Sequence, residues 1–130
     1  MSTQKCIPCS ELDSSALLPM DEVTKKLEDM PLWTLQQSSD GIYCISRRYT
    51  AKSFQAALDS INAMGVIAER EGHHPDFHLT NYREVEIVVW THTLNGLTKN
   101  DIDLAMLFDN EVNVTYSPKW KKEHLPPDNR

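Results

Sequence analysis

The 130-residue sequence has no apolar run near the roughly 20 residues needed to cross a bilayer, so no membrane-spanning helix is expected. It has no low-complexity tract, which argues against a disordered or fibrous chain. Positive charge is also scarce: 13 Lys and Arg against 19 Asp and Glu leave a formal charge of -6. Without a broad basic surface, direct DNA or RNA binding is not expected. Three cysteines, an odd number, do not make a disulfide framework. The first twenty residues lack an Arg-rich amphipathic face and a hydrophobic signal core, and they contain Glu11 and Asp13. They resemble neither a transit peptide nor a secretory leader, so the expected address is cytoplasmic, with the nucleus second.

What is present fits one α+β domain. Residues 1–17 read as a Ser-rich extension, 18–118 as the domain and 119–130 as a polar tail carrying Lys119, Lys121 and Lys122. Cys6 and Cys9 form a C-x-x-C, but no second pair completes a zinc site and no strand-to-helix setting makes it a redox motif. Cys44 reads as a small packing residue.

Val23, Leu27 and Met30 recur at helical spacing before Pro31. "LWTLQQ" and "IYCISRRYT" flank an Asp-Gly turn and predict a hairpin. From Ser53, a suitable N-cap, to Gly72, a suitable stop, the sequence predicts the longest helix, with Phe54, Ala57, Leu58, Ile61, Met64, Ile67 and Ala68 inward. Gly65 weakens that helix and would admit a close neighbour. "FHLTNY" and "VEIVVWTHT" predict a second hairpin. Thr98 with Asp101 three positions on resembles a capping box, opening a helix with Ile102, Ala105, Met106 and Phe108 inward. The sum is a four-stranded antiparallel sheet covered on one face by about three helices, with open edges suited to self-association.

The chemistry concentrates in "EGHHPDFH" at 71–78. His74 and His78 have helical metal-ligand spacing, but Pro75 lies between them and Gly72 has already stopped the helix. No metal site is expected. Polar residues at a helix C-terminus also have a bland explanation in the helix dipole. His92 lies at the end of an apolar strand, where an imidazole needs a partner or a purpose. If the long helix packs on the sheet, His73 and His74 come near His92. Imidazoles with an ordinary pKa of about 6.5 can then give and take protons near neutral pH. Glu69, one turn before His73, could orient an imidazole or be only a surface residue. Trp90 shares the face of His92 by strand alternation, where it could wall a flat ligand or serve the core.

"ExxxHHP" at 69–75, followed by Tyr82, His92 and Asp101 and preceded by "LEDMPLW", resembles the pterin-4a-carbinolamine dehydratase family over roughly residues 18–115. The resemblance implies an α+β fold, assembly as a homodimer or homotetramer through the long helices, and dehydration of 4a-hydroxytetrahydropterin to quinonoid dihydropterin in tetrahydrobiopterin recycling. It implies His73 and His92 as acid/base residues, His74 as a residue that binds and orients the pterin, and Glu69 as support for His73. "GHH" and "WTHT" would form the pterin site, adding Gly72, Trp90, Thr91 and Thr93. No metal or redox cofactor is implied. Animal members also bind a homeodomain transcription factor, so an interaction module is the rival reading; a metal protein built on His73, His78 and Cys6/Cys9 is a second. Phe77 stands where many members carry Trp, and Trp90 where smaller residues are common.

Overall fold

The computed structural model describes residues 13–126, and Cys6 and Cys9 lie outside them. Four antiparallel strands, β1 (Trp33–Gln37), β2 (Tyr43–Thr50), β3 (Asp76–Thr80) and β4 (Glu84–Val89), form one sheet in the order β1-β2-β4-β3. The helices are α1 (Met20–Leu27), α2 (Phe54–Glu71), α3 (Lys99–Glu111) and α4 (Pro118–His124). The α+β class and the antiparallel sheet agree with the sequence pattern. The fourth helix does not: α4 stands where only a polar tail was expected to begin. Its Trp120 stacks on Tyr116, with ring centroids 4.7 Å apart, and Ser117 caps it.

Alternation along β2 and β4 aims Ile45, Arg47 and Tyr49, and Val85, Ile87 and Val89, at the core, where they pair across the ladder. Helices α2 and α3 add Met64, Ile67, Leu104 and Phe108, all buried. Each such side chain contributes about 1.5–3 kcal/mol relative to exposure.

The buried stripe of α2 is Ala57, Ser60, Met64, Ile67, Ala68 and Glu71. It is therefore rotated from the expected one. Phe54 and Leu58 are exposed, because the helix turns Ser60 inward, where its hydroxyl meets Tyr49 Oη at 2.6 Å. Met106 of α3 is likewise exposed while Leu104 is fully buried. Gly65 has open space where a Cβ would stand, so no neighbour in this chain requires a glycine there.

Arg47 is a cation in an apolar row. Its Nη1 donates to Asp109 Oδ1 of α3 at 2.9 Å and its Nη2 to Tyr116 Oη at 2.6 Å, while Trp33 Nε1 donates to the same carboxylate at 3.0 Å. Burial pushes the Asp109 carboxyl above its ordinary value of 3.8, outweighing the Arg47 charge and the hydrogen bonds from Trp33 and Arg47. The native protein thus holds this proton more tightly than the unfolded chain. The stability it contributes is complete below the unfolded value and is lost as pH rises through the folded one. Asp109→Asn, fixed in the uncharged form, is expected to gain on the wild type as pH rises through that window. Urea unfolding from about pH 4 to about pH 7 checks this, and a gap that narrows with rising pH would contradict it.

Candidate active site

Gly72, at φ 69°, caps α2 in the left-handed conformation, and its N–H donates to the Ala68 and Glu69 carbonyls. Pro75 prevents the helix from resuming, and β3 starts at Asp76. This stop turns two adjacent histidines to different surroundings. His73 is buried, with 3% of its surface exposed, whereas His74 is exposed.

His73 Nε2 donates to Asp101 Oδ1 at 2.6 Å. Asp101, fully buried in the first turn of α3, also accepts from Thr91 Oγ1 and from the Thr98 backbone N–H, each at 2.8 Å, on Oδ2. The Thr98 hydroxyl lies 2.9 Å from Thr91 Oγ1, completing a closed polar cluster. The capping box read from the sequence is present, and its carboxylate has a second use. An imidazole whose one nitrogen donates to a carboxylate is fixed in ring orientation and tautomer.

Thr91 connects this cluster to the third histidine. Its backbone pairs with Gly96 and closes a loop in which His92–Leu94 form a 3-10 turn. His92 is therefore not on the strand as expected. Strand β4 ends at Val89, and the His92 side chain is exposed. Trp90 does lie with it: the two rings are 4.1 Å apart at a tilt of 45°. The chain His73, Asp101, Thr91, His92 joins the end of α2 to this turn.

Glu69 pairs not with His73 but with His74, Oε1 to Nε2 at 2.9 Å, on the exposed surface. The carboxylate hydrogen-bonded to His73 Nε2 is that of Asp101. Thr91, read as a pterin contact, is fully buried and engaged by Asp101 and Thr98. Gly72 and Thr93 are exposed, and Trp90 is half-buried. His78 lies on the outward face of β3 opposite Glu86, away from the buried His73. Asp101 was visible in the sequence as a cap and as part of the signature, but nothing in its spacing from His73 announced their contact. Cavities of about 610 and 710 Å³ lie elsewhere, the first over Arg48, His78 and Trp120 and the second over Met30, Met106 and Asp109.

The fold and site define an α+β domain in which a carboxylate-held imidazole at the end of the long helix is linked through Asp101 and Thr91 to the turn that carries His92. Residues 16–111 match the family model described as pterin 4 alpha carbinolamine dehydratase. The chain belongs to that family. The Arabidopsis thaliana protein named "Pterin-4-alpha-carbinolamine dehydratase 2, mitochondrial" is 39% identical over 122 residues, covering 94% of this chain. This chain spans 64% of that relative's length. A Chlorobaculum tepidum protein whose name carries the same assignment provisionally is 37% identical over 105 residues, covering 81% of this chain and 91% of its own length. The crystal structure of a "transcriptional coactivator/pterin dehydratase" from Brucella melitensis superposes with a TM-score of 0.64 at 28% identity, covering 75% of this chain and 99% of that one.

Proposed function

We propose that this protein dehydrates 4a-hydroxytetrahydropterin to quinonoid dihydropterin by histidine general acid/base catalysis, and that it serves tetrahydrobiopterin recycling. The observation that carries the reading is the cluster in which Asp101 binds His73 and Thr91 together, placing the end of α2 beside the His92 turn. Loss of the C4a hydroxyl needs a proton on the leaving oxygen, and formation of the quinonoid ring needs a base for a ring proton. His92 is exposed and free to supply one role. His73, oriented by Asp101, supplies the other, and His74, braced by Glu69, binds and orients the pterin. Pterin dehydration proceeds unaided, and general acid/base catalysis by positioned side chains adds typically about 10²- to 10⁴-fold, which suits the task. The test is absorbance-monitored dehydration of freshly made 4a-hydroxytetrahydropterin. A wild-type rate equal to that in buffer would remove the reading.

Self-association and a protein partner form a second reading, compatible with the first. Phe54, Leu58 and Val66 stand exposed along α2, and a shallow depression of about 500 Å³ lined by Gly65, Val66 and Glu69 continues the strip. Such apolar exposure marks an interaction surface. We assign it to a homodimer or homotetramer; a transcription-factor partner would compete for it. Leu58→Glu is expected to lower the sedimentation coefficient while leaving turnover intact, and an unchanged coefficient would count against the assignment.

A further inference from the structure

The three site histidines are held in different ways. His73 is fixed by Asp101 and His74 by Glu69, each through Nε2 to a carboxylate oxygen. His92, exposed at the first position of a 3-10 turn, is instead covered on one side by an aromatic ring, that of Trp90, at 4.1 Å between centroids. The Trp90 indole is itself tied: Nε1 donates to Asp76 Oδ2 over a long 3.4 Å. Asp76 immediately follows the His73-His74-Pro75 run, and it faces Val88 across the β3–β4 ladder. A single side chain therefore spans from the segment that carries two of the histidines to the third.

A tilted pair with centroids 4.1 Å apart puts the two rings in close contact, and contact with an indole is attractive to an imidazole ring. Contact on one side leaves the rest of the exposed His92 ring open to a substrate. A ring packed against one side limits the rotation open to an exposed imidazole, and Trp90, half-buried, is the less exposed of the two.

We propose that Trp90, anchored by Asp76, is a positioning residue for the dehydration, holding the His92 imidazole in its reactive orientation and linking the two histidine-bearing segments. This inference rests on the dehydratase reading above. It goes beyond Trp90 as a wall for the pterin, since a wall acts on substrate affinity and a positioning residue acts on turnover.

The test compares wild type, Trp90→Leu, Trp90→Phe and Asp76→Asn by steady-state dehydration kinetics and by proton NMR of the histidine rings. Trp90→Leu is expected to lower kcat roughly ten- to hundred-fold with KM nearly unchanged, as for a misplaced catalytic group. Trp90→Phe, which keeps a ring beneath His92 and gives up the Asp76 bond, is expected to recover most of that loss, and Asp76→Asn to cost only a few-fold. The His92 ring protons are expected upfield in the wild type, to lose that displacement in Trp90→Leu and to retain part of it in Trp90→Phe, with those of His74 unmoved. Wild-type kcat in Trp90→Leu, or a raised KM at constant kcat, would overturn the proposal, as would His92 resonances that do not respond to Trp90. An inactive wild type would instead sink the dehydratase reading, and this inference with it. If Trp90→Leu does not fold, Trp90→Phe and Asp76→Asn carry the test, and turnover that differs from wild type in neither would overturn it.

Discussion

Dehydration by His73→Ala is expected to fall about 10²- to 10⁴-fold below wild type, close to the unassisted rate. The size follows from the setting of His73. It is the one site histidine that is both buried and bonded to a buried carboxylate, so the fold has fixed its orientation before substrate arrives. On the proposed mechanism, truncation to Ala removes a proton carrier; it also leaves Asp101 without its imidazole partner. His92→Ala is expected to lose a comparable factor, because the second proton transfer then has no exposed partner on that side. His74→Ala is expected to act mainly on KM, since His74 is exposed and its Glu69 contact is a surface pair of small energy. The same absorbance assay separates these roles. If His74→Ala abolished turnover while His73→Ala retained it, the acid/base assignment would pass to the exposed histidine and His73 would be left with an anchoring role.

Asp101→Ala is expected to be the most destabilising single change at the site, by about 2–5 kcal/mol. The carboxylate is fully buried and accepts from His73, from Thr91 and from the Thr98 backbone N–H. Removing it takes away one half of the capping box of α3 and strips a buried imidazole and a buried hydroxyl of the acceptor they share. Asn is not an innocent replacement. It keeps the size but turns one acceptor into a donor, so its amide NH₂ must face either the His73 N–H or the donors from Thr91 and Thr98. Thermal or urea unfolding measures the loss, and a midpoint equal to wild type for Asp101→Ala would show that the cluster is not a keystone of the fold. Asp101→Asn, with its milder unfolding cost, is expected to lose turnover even where it stays folded, because His73 is no longer held by a carboxylate.

The family seen on comparison is the one the spacing from Glu69 to Asp101 resembles, and that spacing survives in the structure as a contact between the end of α2 and the start of α3. Four strands, the cap at Ser53, the stop at Gly72 and the capping box at Thr98 were all legible, because each depends on residues within a few positions of one another. The breaking of the His74–His78 register by Pro75 was legible for the same reason. Periodicity misjudged Phe54, Leu58 and Met106, since a stripe pattern says which residues are apolar but not how far the helix is rotated when it packs. It also extended β4 through Trp90 and His92, because β-branched residues and Trp favour a strand wherever they stand, whereas the Thr91–Gly96 pairing ends it.

By itself the sequence determined the elements, the end of the long helix and the set of histidines, all of them properties of local stereochemistry. Only the tertiary structure decided which carboxylate holds which imidazole. Glu69 is four residues from His73 yet bonds His74, while Asp101, 28 residues along the chain, closes on His73. Helical spacing sets which side chains are within reach. The choice among them is made by burial: the imidazole that enters the core takes the carboxylate that α3 brings there, and the one left in solvent takes the neighbour on the surface.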